Sequence, residues 1–199
     1  MSHKIANFLY DKISIYFSAD EEMRDVCIYG LELILSFIFS TSIILTVGAI
    51  SGHILSSIAF LAVFILVRRF TGGFHANTFL KCQLFTIAFY FVSQILSIHT
   101  SPNVYCFTLL SIVGAAVILL IGPIESPYKP LSKSSRVKNK IIGCFVFVIL
   151  NITGAVIYQY KVIGNMIFYT DSIIIILMLI PYFHKKFSIA ENKISEENQ

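Results

Sequence analysis

Cys82 and His75 are the two residues whose types and spacing could support nucleophilic catalysis. A nucleophilic cysteine needs a base to take its proton and surroundings that favour the thiolate. His75 could serve as that base, and the adjacent Lys81 could favour the thiolate. In one straight helix, seven residues would separate the two side chains by about 10.5 Å along the axis, too far for proton transfer. The pair therefore requires His75 to lie on non-helical chain that folds back over a helix carrying Cys82.

The residues before Cys82 suit such a fold. Gly72–Gly73 provides backbone freedom for a turn, and Arg68–Arg69 adds positive charge that would favour a thiolate. A helix that begins near Asn77 or Thr78 would also direct its N-terminal dipole towards the thiol. The pattern makes residues 68–82 a candidate catalytic connection. One His and one Cys at this spacing are by themselves a weak signal, and two ordinary residues at the membrane surface are the alternative.

The other cysteines are Cys27, Cys106 and Cys144, and none of the four forms a C-x-x-C pair. No cluster has the spacing of metal ligands, so we predict neither a metal nor a cofactor. Cys106 and Cys144 fall in or beside apolar stretches, where a thiol behaves as a small hydrophobic group.

Two acidic residues, Glu32 and Asp171, lie within apolar segments. A carboxylate inside a membrane is costly and usually has a partner. Glu32 could pair with Arg68 or Arg69, or orient His75, whereas Asp171 could mark an ion path. For each acid, a structural pair and a functional role both stay open.

Composition decides which elements must position these residues. The chain has 199 residues, of which 56% are hydrophobic and 13% are charged, with a mean hydropathy of +0.80. A soluble domain carries roughly a quarter charged residues, so a soluble enzyme, a disordered chain and a disulfide scaffold are all excluded. The net charge of +4 does not by itself indicate nucleic acid, and we predict none as a partner.

Apolar stretches predict an all-α membrane protein with six transmembrane helices. An amphipathic interfacial helix over residues 1–17 precedes them. The second and third stretches are short, roughly 14 and 16 residues, and both end at the 68–82 connection. The six predicted spans are Leu31–Ile50, Ile54–Val67, Gln83–Ile98, Val104–Ile121, Ile141–Tyr158 and Val162–Pro181.

Basic residues predict the orientation. Of the 15 Lys and Arg residues, all except Lys161 fall at the two termini or in the connections on one side of the six spans. The positive-inside rule then places both termini, and the 68–82 connection, in the cytoplasm. Residues 1–185 form one membrane domain in this interpretation, and residues 186–199 form a polar C-terminal tail.

The stretch R-R-F-T-G-G-F-H-A-N-T-F-L-K-C, from Arg68 to Cys82, resembles the accessory gene regulator B (AgrB) family of bacterial membrane cysteine peptidases. The arginine pair, Gly73, His75 and Cys82 match the family pattern position by position. Y-G-L-E at Tyr29–Glu32 and the P-x-x-x-x-x-K-P pattern over 123–130 are also similar. The resemblance covers nearly the whole chain.

The resemblance implies a cysteine endopeptidase of the bacterial cell membrane. Cys82 would be its nucleophile and His75 its general base. An AgrD-like propeptide would lose its acidic tail and, through a thioester on Cys82, cyclise to a thiolactone or lactone quorum-sensing precursor. Supporting or substrate-binding roles would then fall to Arg68, Arg69, Gly73, Glu32, Lys129 and Pro130.

The basic connection over residues 122–140 has two interpretations. It could set topology and attract anionic lipid, or it could bind the acidic peptide. Two further classes of function stay open beside the peptidase: a small transporter or peptide exporter that uses Glu32 and Asp171, and a non-catalytic membrane adaptor. A homodimer is compatible with the sequence but not required by it.

Overall fold

The computed structural model describes residues 2–13, 21–72, 79–124, 132–157 and 161–197, and α-helices make up nearly all of these residues. No β-strand occurs within these ranges, which confirms the prediction of an all-α chain. The helices are α1 (Ser2–Ile13), α2 (Glu21–Ile50), α3 (Ile54–Thr71), α4 (Phe79–His99), α5 (Val104–Ile121), α6 (Lys133–Val156) and α7 (Lys161–Glu197).

Five of these helices, α2, α3, α5, α6 and α7, contain a stretch long and apolar enough to cross a membrane. The protein is therefore a membrane protein. In α4, the apolar stretch Gln83–His99 is shorter, although the whole helix has 21 residues, or about 31 Å. The count of six spans, which needs α4 to cross as well, stays a prediction.

Several helices continue beyond the apolar stretches. α3 includes Arg68 and Arg69 in its last turn, and α6 begins at Lys133, eight residues before the predicted span. α7 runs on to Glu197, into the predicted polar tail. Apolar stretches end at the first charge, but a helix need not, because Lys and Arg can extend their charged ends towards water while their stems follow the helix.

α7 is the central helix. It packs against α3, α4, α5 and α6, and 61% of its most apolar stretch is buried, against 39% or less in the other four candidate spans. Its residues Met166, Ile174 and Met178 join the core with Phe60 of α3 and Phe147 of α6. These four helices thus surround α7, and their outer faces stay apolar and exposed, as expected for helices in contact with lipid.

Polar side chains also join the helices. The hydroxyl groups of Ser57 on α3 and Tyr90 on α4 lie 2.7 Å apart. Asn165 of α7 donates from Nδ2 to the carbonyl oxygens of Ser97 and Thr100 at the end of α4, at 3.0 and 2.6 Å. Lipid removes most of the hydrophobic drive between helices, so such bonds and close packing fix their arrangement.

α1 packs against α2 through a small cluster apart from the main core. Ala6 and Tyr10 of α1 are buried against Ile28 of α2, while Phe8 on the opposite face is exposed. The predicted N-terminal helix is thus present over residues 2–13. Its place at a membrane surface stays a prediction.

Candidate functional site

The end of α3 carries the arginine pair. The guanidinium carbon of Arg68 lies 5.1 Å from the centre of the Phe64 ring, and that of Arg69 lies 5.9 Å from the Phe70 ring. Arg68 is half-buried and Arg69 is exposed. Positive charges in the last turn of a helix interact favourably with its dipole, and aromatic faces attract cations. α3 thus ends with two positive charges, each of which lies near an aromatic ring of the same helix.

α3 is joined by its backbone to the basic connection. The N–H of Ile124 donates to the carbonyl oxygen of Thr71 over 2.9 Å, and Gly72 and Ile124 form a short parallel bridge. Thr71 is buried, and its hydroxyl donates to the carbonyl of Val67 at 3.0 Å. The start of the 68–82 connection and the start of the 122–140 connection therefore meet at one end of the bundle.

α4 begins at Phe79, one residue after the predicted start region, and its backbone includes position 82. Cys82 is the fourth residue of this helix and therefore lies in its first turn. His75, Gly73 and Asn77 lie outside the described residues, as does the side chain of Cys82. The predicted pairing of His75 with Cys82 therefore stays a prediction.

Glu32, on α2, lies at the same end of the bundle. Gln83 of α4 donates from Nε2 to the hydroxyl of Ser36 on α2. α2 and α4 run in the same direction, because each is antiparallel to α3. Glu32 lies one turn before Ser36, about 6 Å along the axis, and therefore stands level with the start of α4. Its side chain is buried. The fold thus places a buried acid within one helical turn of the level of Cys82.

The first turns of α6 supply a basic surface that extends past the end of α3. Ser132 caps the helix, since its hydroxyl accepts from the N–H of Ser135 at 3.2 Å. A Cβ added at Gly143 would lie 3.1 Å from Cβ of Phe70. Gly143 of α6 therefore lies at the same height along the bundle as Phe70 of α3. Lys133 therefore stands about 15 Å further along the axis, past the end of α3. The exposed basic residues of this segment are Lys133, Arg136 and Lys138.

The structure accordingly brings together part of the predicted site. Arg68, Arg69, Glu32 and the basic start of α6 all lie at the end of the bundle that carries the two connections. Lys129 and Pro130 lie outside the described residues. Thr71 and Ile124 had no signal in the sequence, because a backbone hydrogen bond between them needs no particular side chain; only the glycine at position 72 hinted at a close approach.

The remaining cysteines lie on three other helices. Cys27 is exposed on α2, while Cys106 on α5 and Cys144 on α6 are half-buried; all three are free thiols. Within the described part of the chain, no three His, Cys, Asp or Glu side chains are grouped as metal ligands would be.

Comparison with known proteins shows to which family this chain is similar. A protein-family model described as Accessory gene regulator B matches residues 2–184. The accessory gene regulator protein B of Staphylococcus epidermidis is 23% identical over 186 residues, covering 94% of this chain and 86% of that protein. Its namesake in Staphylococcus aureus strain MW2 is 22% identical over 161 residues, covering 79% and 82%. No solved structure matches the chain. On the extent of the family match, this chain belongs to the accessory gene regulator B family.

Proposed function

We propose that the protein is a membrane cysteine endopeptidase that removes the acidic tail of an AgrD-type propeptide and closes the remaining peptide into a ring. Family membership over residues 2–184 is the observation that carries the proposal, because it places the protein in quorum-sensing gene regulation with a peptide partner. The position of Cys82 in the first turns of α4, with His75 before that helix, supports it.

The reaction has two halves. His75 takes the proton of the Cys82 thiol, and the thiolate attacks the peptide carbonyl that precedes the tail. The C–N bond breaks, the tail leaves as an amine that receives the proton, and the propeptide stays on Cys82 as a thioester. A Cys or Ser side chain of the propeptide then attacks that thioester, and the Cys82 thiol is regenerated with the proton that this nucleophile loses.

The environment of the site favours ring closure over hydrolysis. Both reacting groups belong to one bound peptide, so the attack is effectively intramolecular. A site at the end of a lipid-embedded bundle would limit the access of water to the thioester. Glu32, level with the start of α4, is suited to orient His75. Arg69 and the basic start of α6, with Lys129 and Pro130 in the connection before it, would bind the acidic tail.

The deciding experiment is mass spectrometry of a co-expressed propeptide after exposure to the wild type or to Cys82→Ala. We expect cleaved and cyclised peptide with the wild type and only intact propeptide with Cys82→Ala. The matched controls are Cys27→Ala, Cys106→Ala and Cys144→Ala, which remove the free thiols of α2, α5 and α6 and should process normally. Full processing by Cys82→Ala would refute the proposal.

A second candidate function, a small transporter or peptide exporter, is favoured by one observation. Asp171 is fully buried in the bundle, and its Oδ1 has no hydrogen-bond partner in the part of the chain that the structure describes. Buried acids inside a membrane often mark ion paths. Flux of peptide or protons in liposomes that survives Cys82→Ala but not Asp171→Asn would support this function instead.

A further inference from the structure

The Thr71–Ile124 contact lies between the two parts of the proposed site, and the proposed function gives it no role. It is a backbone bond of 2.9 Å between the last residue of α3 and the start of the basic connection. Thr71 is 1% exposed, and the side chain of Ile124 packs against the main core. Both partners are thus held by the bundle itself, so the bond joins two fixed points.

Gly72 fits this contact for two separate reasons. Its backbone has φ 68° and ψ −147°, a conformation that is accessible almost only to glycine. A Cβ at this position would also collide with the carbonyl oxygen of Ile124, and that oxygen belongs to backbone that cannot rotate away. The N–H of Gly72 meanwhile bonds to the carbonyl of Arg68 at 3.0 Å, which closes the last turn of α3.

The chain leaves Gly72 and reaches position 75 after three more residues, a reach of at most about 10 Å. α4 begins at Phe79, so the connection that carries His75 is short and is anchored at both ends by helices. The direction in which the backbone leaves Gly72 therefore limits where residue 75 can lie relative to Cys82.

We propose that the backbone contact of Thr71 and Gly72 with Ile124 fixes the direction in which the chain leaves α3 towards His75, and that Gly72 is thereby a positioning residue of the active site. This inference rests on the proposed function for the roles of His75 and Cys82. The contact also ties the position of the proposed base to the connection that leads into the basic start of α6.

The bundle contains a matched control for Gly72. Gly52, in the turn between α2 and α3, also has a positive φ, 74°, and a Cβ there would meet nothing within 4 Å. Gly52 and Gly72 thus flank the two ends of α3. Alanine would have a positive φ at both positions, but only at Gly72 would its Cβ collide with the carbonyl oxygen of Ile124.

The experiment compares Gly72→Ala with Gly52→Ala in detergent, after size-exclusion chromatography has confirmed that both variants are folded. We expect Gly72→Ala to lower kcat for propeptide cleavage by about tenfold to a hundredfold, with KM close to the wild-type value. Gly52→Ala should keep the wild-type kcat. Wild-type kcat in Gly72→Ala would overturn the inference.

A second readout needs no propeptide. In a chain whose other three cysteines are replaced by alanine, we expect iodoacetamide to alkylate Cys82 more slowly in Gly72→Ala than in Gly52→Ala, because the base is displaced from the thiol. Slow cleavage with an unchanged alkylation rate would assign Gly72 to folding or substrate access, and would overturn the positioning role.

Ile124→Pro and Ile124→Val test the same contact from its other side. They also keep the inference testable if Gly72→Ala does not fold. Proline removes the N–H that donates to Thr71, while valine keeps it. We expect propeptide cleavage and Cys82 alkylation to be slower than in the wild type in Ile124→Pro but not in Ile124→Val. Equal cleavage and alkylation rates in the two variants would overturn the inference. Failure of the proposed function is separate, because it appears as propeptide cleavage by Cys82→Ala.

Discussion

Asn151 on α6 donates a hydrogen bond of 2.6 Å from Nδ2 to Oδ2 of Asp171 on α7, and neither side chain is exposed. Among the residues that the structure describes, neither Oδ1 of Asn151 nor Oδ1 of Asp171 has a hydrogen-bond partner. The bond therefore joins α6 directly to the central helix. A buried polar pair of this kind holds two helices in register, whether or not the acid also binds an ion.

We expect a double-mutant cycle on this pair to give a coupling free energy of about 1 kcal/mol, measured by unfolding in mixed detergent micelles. Asn151→Ala and Asp171→Ala should each destabilise the protein, because each leaves a buried partner unsatisfied. Ser172→Ala is the matched control, since its hydroxyl bonds only within α7, to the carbonyl of Phe168. Additive effects of the two alanine substitutions would contradict a direct bond.

Gly114 on α5 is predicted to be intolerant of any side chain. A Cβ there would collide with the ring of Phe147 on α6, which is fully buried and has no space to move. We expect Gly114→Ala to destabilise the protein by about 1–3 kcal/mol. Gly30→Ala on α2 should be neutral or stabilising by up to about 1 kcal/mol, because alanine favours helix and nothing lies within 4 Å.

The cause can be checked by a second substitution. In the background of Phe147→Leu, which removes the ring, Gly114→Ala should cost less than it does in the wild type. Unfolding midpoints of purified protein in detergent measure both effects. An equal cost in the two backgrounds would show that the collision with Phe147 is not the reason.

Membrane orientation is predicted to place the basic end of the bundle inside the cell. In a chain with its four cysteines replaced by alanine, a membrane-impermeant maleimide should label Ser101→Cys in intact cells. It should label Ser132→Cys only after the membrane is permeabilised, because Ser101 and Ser132 are exposed and lie at opposite ends of the bundle. Labelling of Ser132→Cys in intact cells would reverse the proposed orientation.

Binding of the propeptide tail is predicted to depend on salt. Lys133→Gln or Lys138→Gln should raise KM for the propeptide by roughly threefold or more at low ionic strength, and the difference should shrink as salt screens the charges. The control is Lys161→Gln, which removes an exposed charge at the start of α7, away from the basic connection. Lys161→Gln should leave KM unchanged, and an equal rise there would contradict specific binding by α6.

Much of this fold could be predicted from the sequence. The long apolar stretches predicted helices close to where the structure has them. Within lipid, a helix is one of the few structures in which the backbone can satisfy its own hydrogen bonds. The predicted spans and the observed α2, α5 and α7 coincide over most of their apolar length. The ends were less predictable, as at α6, where helix formation continues through charged residues to a serine cap.

The parts of the candidate site were predictable to different degrees. His75, Cys82 and the arginine pair are chemical types at a recognisable spacing, so the sequence pointed to them directly. Glu32 was only one of several acids with a suggestive position; its place level with the start of α4 follows from the packing of α2 against α4. Nothing in the side chains could indicate that Thr71 and Ile124 share a hydrogen bond.

The sequence by itself determined that this chain lies in a membrane, that it is helical, and which side chains could do its chemistry. These properties depend on the composition and spacing of residues along one chain. Tertiary structure alone decided that α7 stands at the centre, that Asn151 meets Asp171, and that the connections after α3 and α5 are joined at Gly72. Those facts depend on contacts between distant segments, which are set by shape and by backbone hydrogen bonds that any residue can make.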